Sequence, residues 1–303
     1  MTNRVPFYFV DVFASQPLAG SPLPLVPDAD GLDEAQMRAI AREFAQPETT
    51  FVMPSAQPGA TVRLRSFTPA GAEVGGAGHN ALGAWIWLEA AGRLDEDLAQ
   101  PDGKLAQEIG GRVLPVEVIR RPGEPAVIWM DHAPPRFGAT IDDRSELAGC
   151  LGLAGHDLAA GESAQVVSTG AAHLMVQAVD RMAVDRAAPD QARLVALLRG
   201  AGGEGCYLYS RYPAGEGAVA YARFFNPTMG ISEDPATGSA AGPLAARLAA
   251  AGQIPGEATV VVEQGHALGR PSQIQVAVSA ERIRVGGSGL IVAEGVMTLA
   301  SVI

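Results

Sequence analysis

The sequence predicts an α/β (α+β) protein made of two similar halves, and three observations support this prediction. Apolar, β-branched stretches typical of strands alternate along the chain with segments of helical periodicity. The pattern Arg-x-Phe-x-Pro occurs at Arg65–Pro69 and again at Arg223–Pro227, and each copy precedes a glycine-containing segment and a small-residue helix. The chain has 303 residues, of which 48% are hydrophobic, which is ample for a large core and indicates two domains or one large one. Such patterns also recur by chance in Gly- and Ala-rich sequence, but we interpret this one as an internal duplication.

The first half contains five predicted strands and two predicted helices. Residues Asp33–Ala45 place apolar side chains on one face of a helix, and Asp33-x-x-Gln36 is typical of a capping box. The second helix, His79–Gly92, ends at a glycine suited to a C-cap. The strands are predicted at Val5–Phe13, Thr49–Met53, Thr61–Phe67, Val113–Ile119 and Ala126–Met130.

The second half repeats this series after the paired prolines of "HAPPRFGA". Its helices are predicted at Gln191–Arg199 and Ser239–Gly252, with Pro243 near the first turn of the latter. We predict domains at residues 1–132 and 133–303, with the terminal strand able to cross back to the first half. The strands are predicted at Gln165–Ser168, Leu174–Val179, Tyr207–Ser210, Ala218–Phe225, Thr259–Glu263, Ile274–Val278, Ile283–Val285 and the apolar end "LIVAEGVMTL".

Composition excludes several classes of partner. A net charge of -11 argues against binding to nucleic acid or to an anionic membrane. No apolar run reaches the roughly 20 residues of a membrane span, and the N-terminal segment lacks a signal-peptide pattern. The two cysteines, Cys150 and Cys206, fit a reducing compartment, so we expect a cytoplasmic protein. The five histidines show no metal-ligand spacing, and no metal is predicted.

The starts of the two small-residue helices predict an anion site. A first helical turn leaves backbone N–H groups without partners, and Gly78 and Gly238 would let a ligand approach the backbone closely. In a duplicated protein, the cleft between the halves is the expected place for a ligand. Such donors would hold a carboxylate and stabilise the enolate-like charge formed when a carbon loses its proton.

That chemistry also needs a base. The candidates are Glu48, His79, and Asp234 with its neighbour Glu233. Glu48 lies between an amphipathic helix and an apolar strand, where burial would raise its pKa. Taken singly, each residue also has a structural explanation, such as a turn-forming Asp234 or an N-cap Ser239. Those explanations do not account for the clustering at matched ends of two copies.

Five segments, spread along the chain between Val10 and Ser272, resemble successive motifs of the PhzF-like isomerase family of phenazine biosynthesis, and the match extends over nearly the whole chain. They are "VDVFASQPLAGSPLPLV", "MRAIAREFAQPETTFV", "FTPAGAEVGGAGHNALGA", "EDPATGSAAGPLAARL" and "QGHALGRPS". The resemblance implies a diaminopimelate-epimerase-like fold of two pseudo-symmetric domains, each a curved, mostly antiparallel sheet wrapped around a central helix. It also implies a cofactor-free isomerase, commonly a homodimer, that moves a proton between carbons of a small cyclic or unsaturated carboxylic acid.

Matching by motif assigns roles to individual residues. Glu48 corresponds to the family's general acid/base, and His79, Asp234 and Ser239 would orient the substrate and assist proton transfer. Substrate contacts are expected from Gly78, Asn80, Thr237 and Gly238. Related racemases carry a cysteine before each helix glycine; this chain has Ala77 and Thr237 there, so a two-thiol racemase is not expected.

The chain departs from the family pattern at Ser21, where Asn is usual, and at Asn80, where Pro or Ala is usual. These departures leave the substrate open. One alternative is a non-catalytic protein that binds a small ligand on the same fold. Another is an NAD-dependent oxidoreductase, because Gly76-x-Gly78-x-x-Ala81 satisfies the loose dinucleotide pattern, although the predicted strand ends too far upstream.

Overall fold

A computed structural model describes residues 3–98, 103–212, 215, 217–280 and 282–299. The chain forms two compact units, Met1–Met130 with Gly287–Ile303, and Asp131–Gly286. The sequence-based division at 132/133 lies close to the first of these boundaries. The last strand, which the sequence allowed to cross back to the first half, lies in the first unit and pairs with the N-terminal strand.

The first unit has nine strands and three helices among its described residues. The strands are β1 (Asn3–Val12), β2 (Ser21–Val26), β3 (Thr49–Met53), β4 (Val62–Phe67), β5 (Glu73–Val74), β6 (Leu105–Ile109), β7 (Arg112–Ile119), β8 (Val127–Asp131) and β18 (Gly289–Leu299). The helices are α1 (Glu34–Phe44), α2 (His79–Ala90) and α3 (Asp95–Leu98). Strand β8 ends at the boundary between the units.

The second unit has nine strands and four helices in the part of the chain that is described. The strands are β9 (Arg136–Ile141), β10 (Ala164–Ser168), β11 (Ala172–Gln177), β12 (Gly205–Ser210), β13 (Ala218–Asn226), β14 (Ile231–Asp234), β15 (Ala258–Gln264), β16 (Ser272–Val278) and β17 (Ile283–Gly287). The helices are α4 (Arg144–Cys150), α5 (Arg181–Arg186), α6 (Gln191–Ala201) and α7 (Gly238–Ala250).

Strand pairing follows the same order in both units. In the first, β18–β1–β2 are antiparallel, β2–β3 parallel, β3–β4 and β4–β5 antiparallel, β4–β6 parallel, and β6–β7–β8 antiparallel. In the second, β9–β10–β11 are antiparallel, β11–β12 parallel, β12–β13 and β13–β14 antiparallel, β13–β15 parallel, and β15–β16–β17 antiparallel. This equivalence is what an internal duplication produces.

A small-residue helix packs against several strands of its own unit. Helix α2 contacts β1, β2, β3, β4 and β18, and α7 contacts β10, β11 and β16. Residues on all sides of both helices are buried, as expected for central helices. At Gly83 a Cβ atom would lie only 2.5 Å from the Leu23 side chain, so the close approach of α2 to its sheet requires glycine there. The predicted fold class, a mixed α/β protein with two topologically equivalent halves, is confirmed.

The local predictions differ in outcome. The capping box at Asp33 and Gln36 is present, because each side chain accepts the other residue's backbone N–H. Pro243 lies deeper in α7 than predicted, inside the helix rather than near its first turn. Since helical N–H groups bond to the carbonyl four residues earlier, Pro243 leaves the Ser239 carbonyl without its usual helical donor.

Candidate active site

The carboxyl group of Glu48 lies between the end of α1 and the start of β3. Its side chain is only 19% exposed, and Oε2 is buried without a hydrogen bond to any residue that the structure describes. The His79 Nε2 atom lies 4.0 Å from Oε2, beyond hydrogen-bonding distance. Burial raises the pKa of Glu48 from 4.5 to about 7. A carboxyl group with this pKa can accept and return a proton near neutral pH.

Asn80 holds the glycine segment at the start of α2. Its Oδ1 accepts the Gly78 N–H at 2.7 Å, while Nδ2 donates to the Gly76 carbonyl at 3.0 Å and to Ser66 Oγ at 3.1 Å. The Thr50 hydroxyl donates to the Asn80 carbonyl at 3.2 Å, and Asn80 is 1% exposed. Both side-chain donors of Asn80 and the N–H of Gly78 are therefore used within the protein.

A second buried polar network lies at the start of α7. The Thr237 hydroxyl donates to Asp234 Oδ2 at 2.6 Å. Gln264, which is fully buried, donates to the Asp234 carbonyl and to Thr237 Oγ1 at 2.7 and 3.0 Å. Its Oε1 accepts from the Thr237 N–H at 3.2 Å and from the Tyr207 hydroxyl at 2.9 Å. This network fixes the backbone and carboxylate of Asp234.

Ser239 follows in the first turn of the same helix and is paired with a histidine. Its Oγ lies 3.3 Å from Nε2 of His173, a residue of β11 that is 2% exposed. Burial lowers the pKa of His173 to about 3, so its imidazole is neutral at physiological pH. Gly238 begins α7, and its N–H lies in a first turn that has no preceding helical carbonyl to bond.

Glu233, a candidate base on sequence grounds, forms part of the framework. Arg223 donates to both of its carboxylate oxygens, at 2.9 and 2.7 Å. In the first unit Arg65 makes the equivalent two bonds to Glu73, both at 2.7 Å. Both carboxylate oxygens of Glu233 are thus occupied by one guanidinium, which is the geometry of a structural pair.

The comparisons with known proteins point to one family. The family of phenazine biosynthesis-like proteins, PhzC-PhzF, matches residues 10–295. This chain belongs to that family. The chain is 34% identical to an uncharacterized isomerase of Deinococcus radiodurans, over 95% of this chain and 92% of the relative. It is 33% identical to the trans-2,3-dihydro-3-hydroxyanthranilate isomerase of Pseudomonas aeruginosa, over 95% of this chain and 98% of that enzyme.

Solved structures agree with this assignment. The PhzF-family phenazine biosynthesis protein of Bacillus anthracis has a TM-score of 0.87 at 26% identity, covering 97% of this chain and 99% of its own. A hydroxyproline epimerase of Agrobacterium vitis has a TM-score of 0.63 at 12% identity, covering 98% and 91% of the two chains, and shares the fold. The predicted epimerase-like fold is confirmed, and the chain is an isomerase of the PhzF family.

The structure brings the predicted site residues of this PhzF-family isomerase together in two groups. Glu48 and His79 lie close together in the first unit. In the second unit, Asp234 accepts a hydrogen bond from Thr237, and Thr237 directly precedes Gly238 and Ser239 at the start of α7. Sequence reasoning did not single out His173 or Gln264, because each lies far along the chain from the residue that it contacts.

Other possible sites are not supported by the described residues. Within them, no group of three or more His, Cys, Asp or Glu side chains could hold a metal ion, and no helix is both long and apolar enough to cross a membrane. Each unit has a surface cavity, of about 350 Å³ beside Arg63 and Glu108 and of about 400 Å³ beside Thr259 and Arg282. The predicted site residues do not line these cavities.

Proposed function

We propose that this PhzF-family isomerase moves a proton between two carbons of a small cyclic or unsaturated carboxylic acid, with Glu48 as the general acid/base. The observation that carries the proposal is the buried Oε2 of Glu48, which has no hydrogen-bond partner in the described structure and a pKa near 7. A structural carboxylate of similar burial is normally paired, as Glu233 is with Arg223.

The reaction takes place in two proton-transfer steps. Ionised Glu48 removes a proton from one substrate carbon, and the electrons of the broken C–H bond delocalise towards the carboxylic acid group as an enolate-like anion. Protonated Glu48 then returns the proton to a second carbon, and the double bond changes position. No electron is gained or lost overall, and the starting carboxylate of Glu48 is regenerated. His79, 4.0 Å away, assists by holding a polar group of the substrate beside the base.

The start of α7 offers groups that suit a carboxylic acid. The first-turn N–H groups of Gly238 and Ser239 and the Ser239 hydroxyl are suited to a carboxylate or enolate oxygen. Asp234 orients a donor group of the substrate. Asn80 and Thr237 were predicted to contact the substrate. We propose instead that they position the starts of α2 and α7, because their side chains form hydrogen bonds to other protein groups. The cleft and the homodimer expected from the sequence stay predictions.

The substrate class is proposed from the chemistry and from one relative. The Pseudomonas aeruginosa relative is named for an unsaturated cyclic amino acid, trans-2,3-dihydro-3-hydroxyanthranilate. An acid of this kind has an activated C–H bond, a movable double bond and a carboxylate for the helix N–H groups. We therefore propose unsaturated six-membered-ring acids as the first compounds to test.

The test is incorporation of solvent deuterium into carbon positions of such acids, followed by mass spectrometry. The panel includes trans-2,3-dihydro-3-hydroxyanthranilate and open-chain unsaturated acids. The wild type is expected to exchange at least one acid, and Glu48→Gln is expected to lose the exchange. Glu43→Gln is the matched control, because Glu43 is an exposed acid near the end of α1.

Two results would contradict the proposal. Undiminished exchange in Glu48→Gln would remove Glu48 as the base. Specific binding of an acid without any exchange in the wild type would favour the non-catalytic ligand-binding alternative.

A further inference from the structure

His173 occupies a buried position beside Ser239 and is absent from the predicted site. It lies in β11 opposite Gly205 of β12. Its ring and that of Phe224 pack in a T-shaped arrangement, with the ring centroids 4.9 Å apart and the planes at 79°. This packing holds the imidazole with Nε2 towards Ser239 Oγ, at 3.3 Å.

The other ring nitrogen decides the tautomer. His173 Nδ1 is buried and has no hydrogen-bond partner among the described residues. If Nδ1 carried the hydrogen, the core would contain an unsatisfied donor, and buried orphan N–H groups are rarer than under-satisfied acceptors. This argument favours the neutral tautomer with its hydrogen on Nε2, in which that N–H donates to Ser239 Oγ, 3.3 Å away.

This tautomer determines what Ser239 can do. A hydroxyl has one hydrogen and two acceptor lone pairs. Because the imidazole N–H occupies a lone pair of Ser239, the serine hydrogen is left to donate to another acceptor. Ser239 is partly exposed, in the first turn of α7, where a bound anion would accept it.

We propose that His173 is a positioning residue that fixes the Ser239 hydroxyl as a hydrogen-bond donor to a carboxylate or enolate oxygen of the substrate. This inference rests on the proposed function and adds a specific group to it. At the equivalent position of the first unit the strand register places Leu23, whose side chain has no hydrogen-bonding group.

The first experiment determines the tautomer in the full-length protein without substrate. Histidine labelled with ¹⁵N distinguishes the two neutral tautomers by NMR, and His173→Gln identifies the His173 signals by their loss. The Nε2–H tautomer is expected. An Nδ1–H tautomer would overturn the proposal.

The second experiment is a double-mutant cycle of His173→Leu and Ser239→Ala. The substrate is trans-2,3-dihydro-3-hydroxyanthranilate or, if this acid does not exchange, another acid of the panel that does. His173→Leu is expected to raise KM by roughly 10-fold, the range for losing an oriented hydrogen bond to a charged group. In the Ser239→Ala background the same change is expected to alter KM less than about 2-fold. His173→Gln, which can place an N–H near the Nε2 position, is expected to recover more of the wild-type KM than His173→Asn.

If His173→Leu changed KM by the same factor in the wild type and in the Ser239→Ala variant, His173 would have a merely structural role and the proposal would be overturned. The Gln and Asn variants retain a polar side chain and keep the test available if the Leu variant does not fold. Failure of the proposed function can be distinguished from failure of this inference. It appears as deuterium exchange that persists in Glu48→Gln, whatever the result for the His173 variants.

Discussion

The two halves of this protein share a framework and differ in their chemistry. Each half has an arginine whose guanidinium lies 4.9 Å from the centroid of a phenylalanine ring two residues later, Phe67 in one half and Phe225 in the other. Each arginine also pairs with a glutamate on the neighbouring strand. The repeated Arg-x-Phe pattern therefore records a structural unit that the duplication retained.

The chemistry differs at equivalent positions of this framework. Strand register matches Glu48 with Gly205, since the next residues, Thr49 and Cys206, pair with Phe67 and Phe225. At Gly205 a Cβ atom would lie 2.5 Å from the Phe224 ring, so the second half cannot hold a glutamate there without rearrangement. At this position, therefore, the first half carries the acidic side chain of Glu48 and the second half carries a glycine.

The largest expected effect concerns Glu48 as the proposed general base. Glu48→Gln is expected to lower kcat by about 10²–10⁴-fold, the usual contribution of a general base. In the wild type, kcat/KM is expected to rise with pH through about 7, because Glu48 must be ionised to remove a proton. Asp234→Asn should retain this rise at a lower overall rate. A rise that disappears in Asp234→Asn and persists in Glu48→Gln would exchange the roles of the two residues.

The next effect sharpens the comparison of the two arginine pairs. Arg223 and Glu233 have side chains only 10% and 11% exposed, whereas Glu73, the partner of Arg65, is 40% exposed. Breaking a buried pair costs about 3–5 kcal/mol, and an exposed pair contributes about 0–1 kcal/mol. Urea unfolding is therefore expected to show a large loss of stability for Glu233→Gln and a small one for Glu73→Gln. Equal losses would contradict the assigned difference in burial.

Burial of Glu48 also predicts a pH-dependent stability. The folded state holds the Glu48 proton up to about pH 7, whereas the unfolded chain releases it near 4.5, so stability falls as pH rises between these values. The shift corresponds to about 3 kcal/mol. The free energy of unfolding of Glu48→Gln minus that of the wild type is measured at pH 4 and at pH 8. This difference is expected to be larger at pH 8 than at pH 4 by about 3 kcal/mol, because only the wild type loses stability as Glu48 ionises. A constant difference across that range would show that Glu48 is not buried as described.

A smaller effect tests the space at Gly205. Gly205→Ala is expected to destabilise the protein by about 1–3 kcal/mol, because the new methyl group overlaps the Phe224 ring. Gly200→Ala, in helix α6 with nothing within 4 Å of the added atom, is the matched control and is expected to be stabilising by up to about 1 kcal/mol. Thermal unfolding distinguishes the two, and a neutral Gly205→Ala would weaken the structural asymmetry.

Much of the fold was predictable because its signals are local. Two examples are the capping box of α1 and the strand β3 at Thr49–Met53. Each depends on neighbouring residues, and the structure confirms both. Strand β2 was not predicted, because Pro22 and Pro24 indicate a break; these prolines alternate, so both missing N–H groups fall on one side of the strand.

The candidate site was only partly predictable. Motif matching named Asp234 and Ser239, but the residues that bond to them depend on long-range packing. Gln264 reaches Asp234 and Thr237 through the pairing of β13 with β15, and His173 reaches Ser239 from β11. No local sequence pattern indicates these two contacts.

The most direct test of this account is an NMR titration of the Glu48 side-chain carboxyl carbon in ¹³C-glutamate-labelled protein, with Glu48→Gln identifying the signal. The Glu48 carboxyl is expected to titrate near pH 7, since it is buried and its Oε2 has no hydrogen-bond partner among the described residues. Titration near the ordinary value of 4.5 would contradict it, and Glu48 would then lack the protonation behaviour that the proposed isomerase needs.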